Sequence, residues 1–596
     1  VSVFGGVHVD IDWTETGFGS ATDAQSDVYS ITCSRGIGSA AQEGFVAAAG
    51  DATVTLFNRN AQYSRHNTAS PLYPNIRGKK PIRLRLSAPL SKVFWVGRID
   101  QIRAGARIDG APTVVLTCKG NFIRLTDGRK LTPEANGGDT SDVALASLLT
   151  AAGFASGEMD LDTGDITMGV WGPVKVGGLE EARKIVGTEL GRFFEASDGK
   201  ATFERRSYRR DTTRSNTIQM TLSDDPGDSA VYRYRGIDQA DPEENIFDLV
   251  SINFTPTFTL DVDPIRIFAV GGTGLGTIVV PRGGSRVVTI NPFLYPFVYP
   301  ANSAQAEQNG TYYVTEWEDP VVDGSDPVTV GSIIVSDIPG EAAQSSLSIS
   351  NIVTTSHSIT FTLSNSDPAQ DAVIVYISLF GKRGVIGATV TEQVGSGVRE
   401  YPLPGPYYPN GTTANTAARW LYDYYSSPRD LLTVNLSGVR SPTLLAALMN
   451  REISDRIHVT ATESHTNLAL DDDFFLESVA WQFLHGGDLD CTLSLSACLP
   501  NTQDSEDDTG LPTGMSPYYA FEEASGSIVD IVGGYNLGNH GSTAAVGIIG
   551  RARAFAGASN QYALNTSSGI PDTDLLNTHE WVGWVKDGGA WAPDQI

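Results

Sequence analysis

Three stretches of this 596-residue chain carry the residue types that chemistry needs. Two are acidic, Glu316-Trp317-Glu318-Asp319 and Asp471-Asp472-Asp473, and could supply the paired carboxylates of glycosidic cleavage. Neighbours along a strand point to opposite faces, which spoils the convergence such a pair requires, so solvated turns are expected at both. The third is GGTGLG at 271–276, which imitates a nucleotide loop. It lies in a β-rich region with no helix to receive a phosphate on its N-terminus, and it reads as a glycine turn. HExxH, GxSxG and a P-loop are missing, and the eight histidines do not cluster at ligand spacing. Cys33, Cys118, Cys491 and Cys498 form no CxxC pair and are too scattered for a disulfide framework; reduced, partly buried thiols are expected. No catalytic residue or metal ligand is therefore expected in the chain, and no enzymatic activity.

Charge offers a binding reading instead. The formal charge is −27, yet residues 51–130 hold fifteen Lys/Arg against four acids, a local +11 that leaves −38 for the rest. Such asymmetry suits a basic domain that docks on an acidic neighbour, with Arg77, Lys79 and Lys80 in a glycine-containing turn as the candidate docking surface. A nucleic-acid site is disfavoured, because Arg83 and Arg85 lie on an alternating strand without a DNA-reading motif. Tyr295, Phe297 and Tyr299 could form a binding stripe, although the prolines among them favour an extended edge or interdomain packing. Trp581 and Trp584 face opposite ways in a strand, one for a core and one free to meet a sugar. Asp10 and Asp12 without a basic n-region argue against a secretory signal, and no apolar run approaches the roughly 18 residues of a membrane span.

The elements that must position these residues are mostly strands. The chain is too long for one core, and its recurrent Val, Ile and Thr favour β structure. Residues 1–125 read as a compact β-barrel. An α/β segment at 126–245 follows, with a helix at about 141–152 and a second through LEEARKIVGTELGRFF, where Leu179 to Phe194 recur at helical spacing. After a turn at EASDGK comes the strand ATFERRS. Residues 246–264 return to strand, and 265–444 are short β segments with a helix at about 413–426. Ser441-Pro442 opens another helix. ISDRIHVT, DDFFLESVAWQFL and DLDCTLSLSAC give three closing strands. Residues 499–514 are an acidic linker, beyond which the character changes.

The stretch Gly44 to Arg103, with TVTLFN, Tyr63, Arg65-His66-Asn67, SPLY, the basic turn, PIRLRL and FWVGRI in that order, resembles the first barrel of phage tail hub proteins. The run GRFFEASDGKATFERR resembles their α/β second domain, and the strand at "DRI" with its following hairpin resembles the close of their second barrel, here 246–264 with 445–498. The resemblance implies a mainly β fold with an α/β insertion, two related barrels per chain and a homotrimer whose six barrels match a sixfold tail tube. It further implies a virion tail-tip location, synthesis in the host cytoplasm, and the tail tube or distal tail protein and the tape measure protein as partners. From residue 515, YYAFEEASGSIVDIVGGYNLGNHG and GIIGRARAFAGASNQYAL resemble the opening of a laminin-G-like jelly roll, incomplete at Ile596. Domains of that kind bind glycans through loop aromatics and acids, here Asp530, Tyr535, Asn536 and Trp581, sometimes with calcium; no other cofactor is implied. The competing expectation is an envelope-degrading glycoside hydrolase with a lectin-like accessory domain. A cellular adhesin is disfavoured by the cysteine usage and the absence of a signal.

Overall fold

Side chains that alternate in and out of an apolar core build one sheet of fourteen strands, the dominant feature of the computed structural model. The structure describes most of 7–498; its breaks of five or more residues fall at 39–45, 106–111, 226–231, 241–245, 260–264, 272–277, 291–312, 323–331 and 337–345. Beyond 498, in a second compact unit spanning Leu499–Ile596, it describes the backbone of three short ladders, Gly538–His540 with Tyr562–Leu564, Thr543–Val546 with Arg551–Ala554, and Val582–Asp587 with Ala590–Gln595.

Twelve strands of the large sheet matter here: β1 (Val7–Ile11), β2 (Val28–Gly36), β3 (Asp51–Phe57), β4 (Pro81–Leu86), β5 (Val93–Gly105), β6 (Thr113–Gly120), β7 (Ile218–Ser223), β8 (Gly236–Ala240), β9 (Leu431–Leu436), β10 (Arg456–Ala461), β11 (Leu470–Leu484) and β12 (Leu489–Ala497). The first six lie in the order β2-β3-β6-β5-β4-β1 and the last six in the order β8-β9-β12-β11-β10-β7. The two sets therefore share both chain order and spatial order. Their registers agree as well. Gln101 faces Thr117 and Gly105 faces Thr113, while Ser478 faces Ser494 and Gln482 faces Asp490. One constant shift, which carries 101 to 478 and 117 to 494, superposes the two ladders, including a bulge at Asp100 in one and Glu477 in the other. The same shift carries the pair Arg83–Val96 close to His458–Asp473. The sets differ at the end of the series: β1 runs antiparallel to β4, whereas β7 runs parallel to β10.

The sets join through β2 and β11, from Ser30 opposite Leu484 to Gly36 opposite Ser478. Strand β11 is long enough to carry β10 along its first half and β2 along its second. Buried side chains of both sets, among them Val54, Leu84, Leu116, Val434, Val459 and Leu493, form one apolar cluster. Burying each such side chain contributes about 1.5–3 kcal/mol.

Between the sets lie the inserted segments. Helix α1 (Ser141–Ala151) packs on α2 (Gly178–Glu189) beside the hairpin Arg192–Glu195 with Ala201–Glu204. The sequence pattern extends α2 through Phe194, and the structure corrects this. Leu190 adopts a left-handed conformation at φ 59°, and a Cβ on Gly191 would lie 2.5 Å from the Glu204 carbonyl oxygen. The chain turns there, so Phe193 and Phe194 sit in a strand. A second correction concerns 246–264. Leu249–Phe254 pairs with Val390–Gly395 and Glu400–Pro402, outside the fourteen-stranded sheet. The physical reason is packing: Val250 and Ile252 join the cluster that holds α1, α2 and helix α3 (Gly411–Tyr425), and Phe247 lies edge-on to Tyr401 and Tyr425. Second-set strands before the closing three come instead from 218–240 and 431–436. Asn410 caps α3 by accepting from the Thr413 N–H at 2.9 Å, and Ser441 caps helix α4 (Pro442–Met449).

Candidate docking interface

The junction of β2 with β11 is fastened by charge as well as by its ladder. The bulge at Glu477 turns an acid within an apolar run toward the inserted α/β segment. Arg209 meets it with both terminal nitrogens, at 2.6 and 3.0 Å, and donates from Nε to Ser454 Oγ at 2.9 Å. Ser496 Oγ donates to Glu477 at 2.6 Å, and Ser454 Oγ donates to Glu204 at 2.5 Å. Burial alone would raise the Glu477 carboxyl, but Arg209 and Arg192 outweigh it and hold the pKa at about 2. Glu204 goes the other way: burial pushes it up to about 7 against the charge of Arg209. From β2, Arg35 donates to Glu452 at 2.7 Å and to the Arg451 carbonyl at 2.9 Å. Arg214 reaches fully buried Asp455 at 2.5 and 3.0 Å. A Cβ on Gly36 would lie 2.3 Å from the Glu477 carbonyl oxygen, so the end of this junction requires glycine, at φ 110°.

A second acid fixes the inserted segment to the first set. Glu195 accepts from the backbone N–H of Gly50 at 2.7 Å and of Phe122 at 2.6 Å. Its burial pushes the carboxyl up to about 7 against those backbone donors. Glu189 accepts from Ser141 Oγ at 2.8 Å and from the Asp165 and Ile166 N–H groups, tying α1 to α2. On the outer, polar face of the sheet, a groove of about 300 Å³ crosses the junction, lined by Thr32, Ser34, Thr53, Gln482, Asp490 and Thr492.

The basic block is partly neutralised from within the chain. Arg83 and Arg85 both bind Asp10 at 2.7 Å, Arg124 binds Glu158 at 2.6 Å, and Lys119 binds Asp51. Burial raises the Asp10 carboxyl, yet Arg85 and Arg83 outweigh it and leave the pKa below its ordinary value. His8, Asp10 and Asp23 bring ligand atoms together, but these two guanidinium groups already occupy the carboxylates. In the Gly78-Lys79 turn, Arg77 and Lys79 are exposed and make no ion pair with a described residue, while Lys80 pairs with Glu15 at 3.4 Å. The charge left to meet a partner there is thus two cations of the three.

The Asp471–Asp473 run is a strand and not a turn, a further correction. Asp473 holds Arg456 at 2.7 Å and His458 Nδ1 at 2.8 Å, and Asp471 meets His458 Nε2 at 3.1 Å, a cross-strand polar patch. The alternation expected of a strand puts Asp471 and Asp473 on one side, where β10 supplies Arg456 and His458. Cys33, Cys118 and Cys491 are buried and Cys498 partly so, all as free thiols. Glu316 and Trp317 lie in the strand Tyr313–Trp317 and Gly271 ends the strand Ile265–Gly271. Glu318, Asp319, residues 272–276, Tyr295, Phe297, Tyr299, Asp530, Tyr535, Asn536 and Trp581 lie outside the described residues. Sequence reasoning missed Glu477, Glu195 and Arg209. For Glu477 a signal existed: a lone acid inside FFLESVAWQF, where strand alternation alone leaves a charge unexplained.

No protein-family model and no curated protein matches the chain. Among solved structures, it is similar to the tail protein from Neisseria meningitidis MC58 at 10% identity and a TM-score of 0.41, covering 82% of this chain and 96% of that one. It is similar to the 43 kDa tail protein of prophage MuSo2 from Shewanella oneidensis at 10% identity and a TM-score of 0.40, covering 82% and 97%. A third is the E. coli c3393 protein, described as a component of the type VI secretion system with structural similarity to T4 bacteriophage tail proteins gp27 and gp5. There the identity is 8% and the TM-score 0.33, with 89% and 96% covered.

Proposed function

We propose that this chain is a structural hub at the tip of a phage-type tail, a homotrimeric plug between the tail tube and the parts that find the host. The observation that carries the reading is the union of two strand sets of the same order and register in one sheet. Three chains would present six such sets, the number a sixfold tube needs from a threefold plug. The order of hub-like segments along the sequence supports the same reading. The role is mechanical: the buried ion network holds the inserted segments against the paired sets, and no reaction is involved.

The exposed cations Arg77 and Lys79, with Lys80, would face an acidic surface on the tail tube or distal tail protein, and the tape measure protein would meet the plug from inside the tube. The segment from about residue 515 would act as a glycan-binding module, with Asp530, Tyr535, Asn536 and Trp581 as contacts and calcium as an auxiliary ion. Single sugar sites contribute little, so binding would depend on three copies acting together. Mass photometry of the purified chain tests the assembly. A species of three chain masses supports the hub, and a persistent monomer that fails to join a tail tube refutes it. A glycan array probed with the segment from residue 515, monomeric and as a trimeric fusion, tests the module. Failure to bind in either form, with and without calcium, would leave that domain purely structural.

A further inference from the structure

The strand repeat identifies two edges that lack the partner their counterparts have. In the second set, β11 has β10 along its first half and β2 along its second. In the first set, β5 has β4 along its first half, from Val93 to Arg98. Along its second half, the edge opposite β6 carries no strand among the described residues. The converse holds for the strand equivalent to β2. That strand is β8, which pairs with β9 on one side and with no described strand on the other. Asp100, Gln101, Arg103, Ala104 and Gly105 are exposed on one edge, and Asp238, Gln239 and Ala240 on the other.

We propose that the second half of β5 in one copy pairs antiparallel with β8 of the next copy, placing Ala240 opposite Arg103, Gln239 opposite Ala104 and Asp238 opposite Gly105. The register follows from the repeat. Ser34 faces Asp51, which faces Lys119, and Ala240 faces Leu431, which faces Ser496. The shift that carries 101 to 478 carries Lys119 to Ser496, so Ala240 stands where Ser34 stands. Within the chain Ser34 faces Ala480, and the same shift carries Arg103 to Ala480. The chain therefore already builds this junction once, and a second copy supplies the matching halves for building it again. Charge agrees with the register. Asp238 and Arg103 fall on one face as diagonal neighbours, about 7–8 Å apart between backbones and within reach of an arginine. Neither makes an ion pair with a described residue, so each is available to the other. The contact is head to tail, and it pairs both of these edges in every copy when the ring closes.

This inference rests on the trimeric reading, and one experiment separates the two. Residues directly opposite in an antiparallel ladder have Cα atoms about 4.5–5.5 Å apart, within the range a disulfide spans. The full chain carrying Arg103→Cys with Ala240→Cys should, under mild oxidation, run as a covalent trimer on a denaturing non-reducing gel. The off-register pair Gly105→Cys with Ala240→Cys should give at least tenfold less. A charge test stands beside it: Asp238→Arg should raise the trimer's dissociation midpoint at least tenfold, and Arg103→Asp in the same chain should restore it. A trimer by mass in which neither disulfide pair links, or both link equally, overturns the strand pairing and leaves the hub standing. A monomer at every concentration overturns both.

Discussion

Arg209→Met is the most informative single change for the packing of this protein. It removes the guanidinium that binds Glu477 at 2.6 and 3.0 Å and lies 4.5 Å over the Phe475 ring, but keeps an unbranched apolar stem. Side chains 209 and 477 are only 9% and 11% exposed, so the stranded carboxylate would be poorly solvated. Breaking such a pair costs about 3–5 kcal/mol, whereas replacing both members by apolar residues is often neutral. The acid limb gives an independent magnitude. The folded pKa of Glu477, about 2, lies below the ordinary glutamate value of 4.5. Its contribution is therefore fully present above pH ~4.5 and is lost as pH falls towards ~2. At 1.36 kcal/mol per unit, that gap contributes about 3 kcal/mol. Urea unfolding read by tryptophan fluorescence, with buried Trp481 as a reporter in the same sheet, should show Arg209→Met destabilised by about 3–5 kcal/mol at pH 7. The difference from the unaltered chain should shrink towards pH 2, and Arg209→Met with Glu477→Leu should recover most of the loss. A cost under about 1 kcal/mol at pH 7, or an unchanged difference at pH 2, would refute the claim that this pair fastens the inserted segment to β11.

Three further outcomes are expected. Gly120→Ala should destabilise by about 1–3 kcal/mol in thermal unfolding, because its Cβ would lie 2.0 Å from Glu195 Oε2, while Gly157→Ala, with nothing within 4 Å, should stay close to the unaltered chain. Asn410→Ala should cost about 1 kcal/mol through loss of the α3 cap, measurable as faster hydrogen exchange at the Thr413 amide. Reversal of Arg77, Lys79 and Lys80 to Glu should leave the melting temperature within a few degrees and weaken pull-down of an acidic tail partner, most at low salt.

Much of the strand pattern was legible because one face of nearly every strand is buried. In β4 (PIRLRL) and β10 (RIHVTA), the same positions alternate inward. That similarity is one of burial and register and not of identity, which is why the repeat is invisible in the sequence. Ser441 with proline at the first helical position marked its helix for a local reason, which tertiary packing did not override. The end of α2 was illegible because Phe193 and Phe194 continue the helical spacing, and only the left-handed turn at Leu190 decides against it. The partner of Leu249–Phe254 was illegible because a buried strand does not encode which sheet it joins. The basic block read as free charge because its counter-ions, Asp10, Glu15 and Glu158, lie outside the block in sequence and beside it in space.

The central question is whether three copies continue the sheet that one copy begins. Cryo-electron microscopy of the full chain at micromolar concentration addresses this directly. The expected density is a threefold particle with six similar strand sets around one ring, in which β8 of each copy runs beside the second half of β5 in the next. A monomeric particle, or a ring whose copies meet through other surfaces with both edges open, would contradict it.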